Sequence, residues 1–210
     1  ETYACVVFTI LNCIEILIFR KYGLKRNYSE RFLATIVNTR GQGSSPQVVC
    51  EFLRKLGVPP EEVLPFDSTI NTEDKFFAPI APKMYEIARD FLDEFDFKHE
   101  YVPSTDEAIL KAIKCSPLGL SIAALYERGS MYYKPKGAKD NHFTTLVKAV
   151  NGLYKRVYDS YGDNEGDPYL KDFEWDMKHS AIKRFWISKK KDQKETFWQK
   201  LIDWLNEILK

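Results

Sequence analysis

From Cys5 to Phe19 the chain reads Cys-Val-Val-Phe-Thr-Ile-Leu-Asn-Cys-Ile-Glu-Ile-Leu-Ile-Phe, with no Pro or Gly and with Glu15 as its one charge. A near-continuous apolar run of this length predicts a buried helix that begins near Cys5, with Gly23 placed to end it. Thr9, Asn12 and Glu15 cross the run, which is too short and too polar for a membrane span. Ser29 to Leu33 reads as a short helix or turn. Asn38 to Ser45 is a polar loop with two glycines, and Ser45-Pro46 then opens a helix carrying Val48, Val49, Phe52, Leu53 and Leu56. Gly57 to Pro60 stops it, and Leu64 to Pro82 reads as irregular. Lys83 to Phe95 is an amphipathic helix with Met84, Ile87, Phe91 and Leu92 on one side. Phe97 to Val102 is a candidate strand, and Ser104 to Glu107 starts a helix running through Ala108, Ile109, Ala112 and Ile113.

The pattern then changes. Pro117–Leu125, Phe143–Val150, Leu153–Tyr158 and Phe185–Ser188 are β-rich, and Asn151-Gly152 is a strong hairpin turn between the second and third. Helices first and strands later predict an α+β chain of two lobes, a helical one over about 1–115 and a β one over about 116–188. Residues 189–210 form a charged linker and a last amphipathic helix. In it Phe197, Leu201, Trp204, Leu205 and Ile208 share one face, to pack on its own domain or to dock on a partner protein or a membrane interface.

Composition narrows the options. The 210 residues are 44% hydrophobic and 29% charged with a net charge of +1, which fits a soluble globule and gives no bulk electrostatic pull toward nucleic acid. Four cysteines show neither a C-x-x-C pair nor Cys/His metal spacing, so no metal is expected. Their sparse placement fits a reducing compartment, the cytoplasm or a virus- or phage-encoded intracellular setting, better than a disulfide framework. No signal peptide is visible, and the opening on Glu rather than Met reads as a processed chain or a piece of a longer one.

Candidate chemistry begins at Cys5. A thiol at a helix N-terminus meets unpaired N–H groups and the positive end of the helix dipole, both of which favour the thiolate. The alternative is a small core residue. Of three histidines, His99 and His179 sit among charged or polar neighbours and read as solvated. His142 stands at the mouth of a strand, and antiparallel pairing across Asn151-Gly152 would bring Asp159 near it. A carboxylate there fixes the imidazole tautomer and leaves the other ring nitrogen to deprotonate a thiol.

The separations of His142 and Asp159 from Cys5 fall close to the roughly 130–150 residues that separate cysteine from histidine and asparagine in papain-type enzymes. Further segments fall in the same order. Ala4-Cys5-Val6-Val7-Phe8 looks like the start of that family's central helix, and Tyr28-Ser29-Glu30-Arg31-Phe32-Leu33 like its Leu-Ser-Glu-Gln-x-Leu segment. Gly43-Ser44-Ser45-Pro46 resembles its glycine-rich substrate loop, Leu64-Pro65-Phe66 its Tyr-Pro-Tyr, and Ser116-Pro117-Leu118 its Gly-Pro-Val strand. Asn141-His142 and Asp159-Ser160-Tyr161-Gly162 resemble its histidine and Asn-Ser-Trp-Gly sites. From Cys5 to about Ser188 the chain thus resembles the papain-like cysteine peptidases, in a divergent variant with Asp in place of Asn.

The resemblance implies a two-lobed fold and a thiol hydrolase with Cys5 as nucleophile, His142 as base and Asp159 as its orienting group. It also implies a protein or peptide substrate held along Gly43, Ser44, Asn141 and Tyr161, with no cofactor. The departures are equally concrete. Ala4 and Val6 replace the family's Gly-Ser-x-Trp surroundings, Thr2 stands at a disulfide cysteine, Tyr161 at a shielding Trp, and Phe143 at a small residue, where it should narrow the pocket for the substrate's second residue. The family's oxyanion glutamine lies six residues ahead of the cysteine, and the four residues before Cys5 include none. Loss of such a donor costs on the order of 10²–10³ in turnover. A weak or inactive papain-fold module of a larger assembly, and an amide or peptidoglycan-crosslink hydrolase, are therefore the alternatives.

Overall fold

The computed structural model describes residues 3–67, 69–129, 131–159, 170–190 and 204–205. Helix α1 (Cys5–Tyr22) ends at Gly23, whose φ of 68° is left-handed and whose N–H donates to the Phe19 carbonyl. Helix α2 (Glu30–Val37) is capped by Ser29, which accepts from the Phe32 N–H. Helix α3 (Pro46–Leu56) is capped by Ser45, which accepts from Val48. A single 3₁₀ turn (Glu61–Val63) and the short α4 (Glu73–Phe76) interrupt the segment expected to be irregular. Helix α5 (Pro82–Glu94) leads directly into strand β1 (Phe95–Tyr101), and α6 (Asp106–Ile113) follows with Thr105 as its cap.

The strands are β2 (Leu118–Ile122), β3 (Glu127–Arg128), β4 (Met131–Tyr132), β5 (His142–Val150), β6 (Tyr154–Tyr158), β7 (Leu170–Glu174) and β8 (Ile182–Lys189). They form one eight-stranded sheet in the order β1-β8-β2-β5-β6-β7-β4-β3, with β4 and β7 parallel and the other neighbours antiparallel. The expected hairpin is present: β5 and β6 pair from Val150↔Tyr154 to Thr145↔Tyr158, with one irregularity between Leu146 and Lys148. Strands β3, β4 and β7 had no counterpart in the sequence pattern, since two of them are two residues long and too short to alternate.

Two clusters of buried apolar side chains hold the molecule. One gathers α1, α2, α3 and α5 around Phe32, Leu53 and Phe91, and extends to Phe143, Phe185 and Ile187 of the sheet. The other fills the space between α6 and the sheet with Ile109, Leu120, Ile122, Tyr132, Val157, Phe173 and Ile182. Strand β8 serves both, giving Ile182 to the second and Phe185 and Ile187 to the first. No helix among the described residues is long and apolar enough to cross a membrane. The expected amphipathic helix over 195–209 lies outside the described residues except at Trp204 and Leu205, which are helical and exposed.

Candidate active site

The first two turns of α1 are fastened to the start of β5 by side chains that the apolar run only seemed to interrupt. Thr9 Oγ1 donates to the Phe143 carbonyl at 2.8 Å, and Thr145 Oγ1 donates to the Thr9 carbonyl at 3.3 Å. Cys13 Sγ lies 4.0 Å from Thr145 Oγ1. All three side chains are buried, so these bonds are not exchanged with water. Gly119 completes the seam: a Cβ there would stand 2.6 Å from the Phe143 ring and 3.1 Å from the Thr9 methyl. The Phe143 ring therefore occupies a space that Gly119 leaves open and is itself 4% exposed.

This seam fixes Cys5, one turn before Thr9, against His142, one residue before Phe143. Cys5 is the first residue of α1, and no side chain caps the helix at Ala4. Its sulfur lies within electrostatic reach of the His142 ring and of the backbone N–H groups of Phe143 and Val6. Burial opposes ionisation, but the neighbouring His142 ring and the two backbone N–H groups outweigh it, and the thiol lies below its ordinary pKa. The other end of the ring is held by a carboxylate: His142 Nε2 and Asp159 Oδ1 are 2.7 Å apart, with both side chains fully buried. Since Nε2 is engaged by Asp159, Nδ1 is the ring nitrogen left to serve the sulfur. Burial works against the imidazolium, yet Asp159 and Cys5 together raise His142 to about 9. Asp159 lies just past β6, and its Oδ2 accepts from the Tyr132 hydroxyl at 3.0 Å. Tyr132 carries no local sequence signal for this role.

These groups open on a cavity of about 1140 Å³, lined on the helical side by Tyr3, Gln42, Gly43, Ser44 and Pro46 and on the sheet side by Ser121, Asn141 and Ala181. Gly43 has a left-handed φ of 71°, and a Cβ there would stand 3.4 Å from the Tyr3 carbonyl; both Gly43 and Cys5 line the cavity. Asn141 is engaged structurally: its Oδ1 accepts from the Ala124 N–H at 2.9 Å. Tyr161 lies outside the described residues, as do Thr2, Ser160 and Gly162. A polar wall beside Asn141 was not foreseen. Asp140 accepts from Lys134 at 2.6 Å, from the Ser180 N–H at 2.7 Å and from Ser121 Oγ at 2.9 Å. Burial disfavours the Asp140 charge, but these donors hold it below the usual carboxylate range.

The two histidines read as solvated are both packed and bonded. His179 is 6% exposed, with Nδ1 2.7 Å from the Ser121 carbonyl and Nε2 3.4 Å from Lys155 Nζ. Burial and the neighbouring Lys155 charge push it down to about 4. His99 follows Phe95 and Phe97 on the inward face of β1, between Lys183 at 3.0 Å and Glu51 at 3.3 Å. Neither lines the cavity. Cys13 and Cys50 are free, buried core thiols; burial raises both, Cys50 to about 12. No cluster of His, Cys, Asp and Glu suited to a metal ion occurs among the described residues.

No protein-family model and no curated protein matches the sequence. Solved structures do match. Bromelain from Ananas comosus, in complex with an inhibitor, superposes with a TM-score of 0.64 at 19% identity over 86% of this chain and 87% of its own. Xylellain, a cysteine protease from Xylella fastidiosa, gives 0.68 at 15% identity over 86% of this chain and 78% of its own. The cysteine protease and lectin-like domains of a surface layer associated protein of Clostridium difficile give 0.70 at 16% identity, over 89% of this chain and 47% of theirs. The chain has the papain-like cysteine protease fold.

Proposed function

We propose that this chain, built on the papain-like fold, is a cysteine peptidase that cleaves peptide bonds through a Cys5 thiolate and a His142 imidazolium. The observation that carries the reading is the 2.7 Å contact between buried Asp159 and His142, whose ring acts on Cys5, with all three residues lining one open cavity. In this mechanism the Cys5 thiolate attacks the carbonyl carbon of a substrate peptide bond. His142 Nδ1–H then protonates the departing amine, leaving a thioester on Cys5. The neutral ring next takes a proton from water, whose oxygen attacks the thioester and releases the acid. Asp159 keeps the ring in the orientation that presents Nδ1 to the sulfur throughout. The Cys5 backbone N–H supplies one donor to the developing oxyanion. Gly43 and Ser44 receive the extended substrate backbone on the helical side. No cofactor takes part in any step.

Hydrolysis of a diverse peptide library, read by mass spectrometry alongside Cys5→Ala, tests the proposal. Cleavage that disappears in the variant is expected. Rapid alkylation of Cys5 with no peptide cleaved would redirect the activity to another amide, such as a peptidoglycan crosslink. Alkylation of Cys5 no faster than that of exposed Cys115 would leave an inert papain-fold module.

A further inference from the structure

We infer that Tyr132 is a positioning residue for the reaction, acting on His142 through Asp159; the inference rests on the reading of the site given above. Asp159 is a fully buried carboxylate. Removing such a group from water favours its neutral form, and a neutral Asp159 would no longer support an imidazolium. Its two oxygens are divided between two donors, Oδ1 facing His142 at 2.7 Å and Oδ2 accepting from Tyr132 at 3.0 Å. A hydrogen bond to the ionised form holds the charge on the carboxylate, and a second anchor point fixes the plane of the group in line with Nε2.

The sheet explains why a tyrosine can reach. Tyr132 pairs with Phe173 of β7, and Phe173 pairs with Lys155 of β6, so these residues share the face on which Val157 and Asp159 follow. The ring is packed in the second apolar cluster at 2% exposure, which leaves the hydroxyl few orientations. Charged groups nearby include Lys171, 6.0 Å above the Tyr132 ring and 3.6 Å from Glu127, and Lys155, which donates to the Trp175 carbonyl at 2.7 Å.

The test is the pH profile of Cys5 alkylation by iodoacetamide in the wild type, Tyr132→Phe, Asp159→Asn and the double variant. Tyr132→Phe keeps the buried ring and removes the donor. Its alkaline limb, set by loss of the His142 proton, is expected to move down by about half a pH unit or more. Asp159→Asn moves it further, and adding Tyr132→Phe to Asp159→Asn moves it no more. An unchanged limb in Tyr132→Phe, or an equal further shift in the double variant, overturns the inference while leaving the peptidase reading intact. A wild-type profile with no activated limb, or one untouched by His142→Ala, defeats the peptidase reading itself. Should Tyr132→Phe fail to fold, the ¹³Cζ resonance of Tyr132 in the unaltered chain decides: it is expected to follow the His142 titration in the wild type and not in Asp159→Asn. A resonance indifferent to that titration counts against the inference.

Discussion

Thr9 donates to the carbonyl of Phe143, and through that one 2.8 Å bond the first turns of α1 are held to the residue after His142. The bond joins positions far apart in sequence yet lies beside both members of the sulfur–imidazole pair. Thr9→Val keeps the shape and removes the donor from a buried acceptor, at a cost of about 1–3 kcal/mol in stability. Cys5 alkylation at pH 6 is expected to slow while the melting transition stays cooperative. An unchanged alkylation rate at full destabilisation would show that the seam serves folding alone.

The four cysteines are expected to react in a definite order. Cys5 ionises below its ordinary pKa, whereas burial raises Cys13 and Cys50. At mildly acidic pH iodoacetamide is therefore expected to modify Cys5 first, and His142→Ala to abolish that preference. Peptide mapping after partial reaction checks this; modification of Cys115 ahead of Cys5 contradicts it.

His142 and His179 are expected to bend the stability curve in opposite directions. His142 rises to about 9 from an ordinary value of 6.5, so its contribution is complete below 6.5 and is lost as pH climbs through 9. His179 falls to about 4, so its neutral form contributes above 6.5 and that contribution is lost as pH drops through 4. Each amounts to roughly 3 kcal/mol at 1.36 kcal/mol per pH unit of displacement. Urea unfolding across pH 4–10 should show Asp159→Asn most destabilised below pH 6.5 and His179→Gln flattening the acid side. Parallel curves for wild type and variants would refute the assignment.

Gly119→Val tests the space held for Phe143. Even the first carbon of a side chain would stand 2.6 Å from that ring. Overpacking of this kind typically costs about 1–3 kcal/mol. Pairing Gly119→Val with Phe143→Ala should recover part of the loss. A double variant no more stable than Gly119→Val would place the clash elsewhere.

What the sequence disclosed was mostly local. The extent of α1 follows from an uninterrupted apolar run closed by Gly23, and the start of α3 from Ser45-Pro46, because capping and backbone restriction act within a few residues. The β5–β6 hairpin was legible for the same reason. His99 was misjudged by its charged flanks, although Phe95, Phe97 and His99 alternate toward one face of β1. His179 precedes β8 and finds its partner at Ser121, which no local pattern announces. Tyr132 and Asp140 owe their places to contacts across strands and loops. Phe143 lines the cavity, and Gly119 leaves the space its ring needs.

Because β8 supplies Phe185 and Ile187 to one apolar cluster and Ile182 to the other, neither half can close until residue 189 has left the ribosome. A nascent chain carries Cys5 and α1 long before it carries the strand that completes the packing around that helix. The order of synthesis thus postpones any reactivity at that sulfur to the last stage of folding, when the surrounding walls already govern what can approach it.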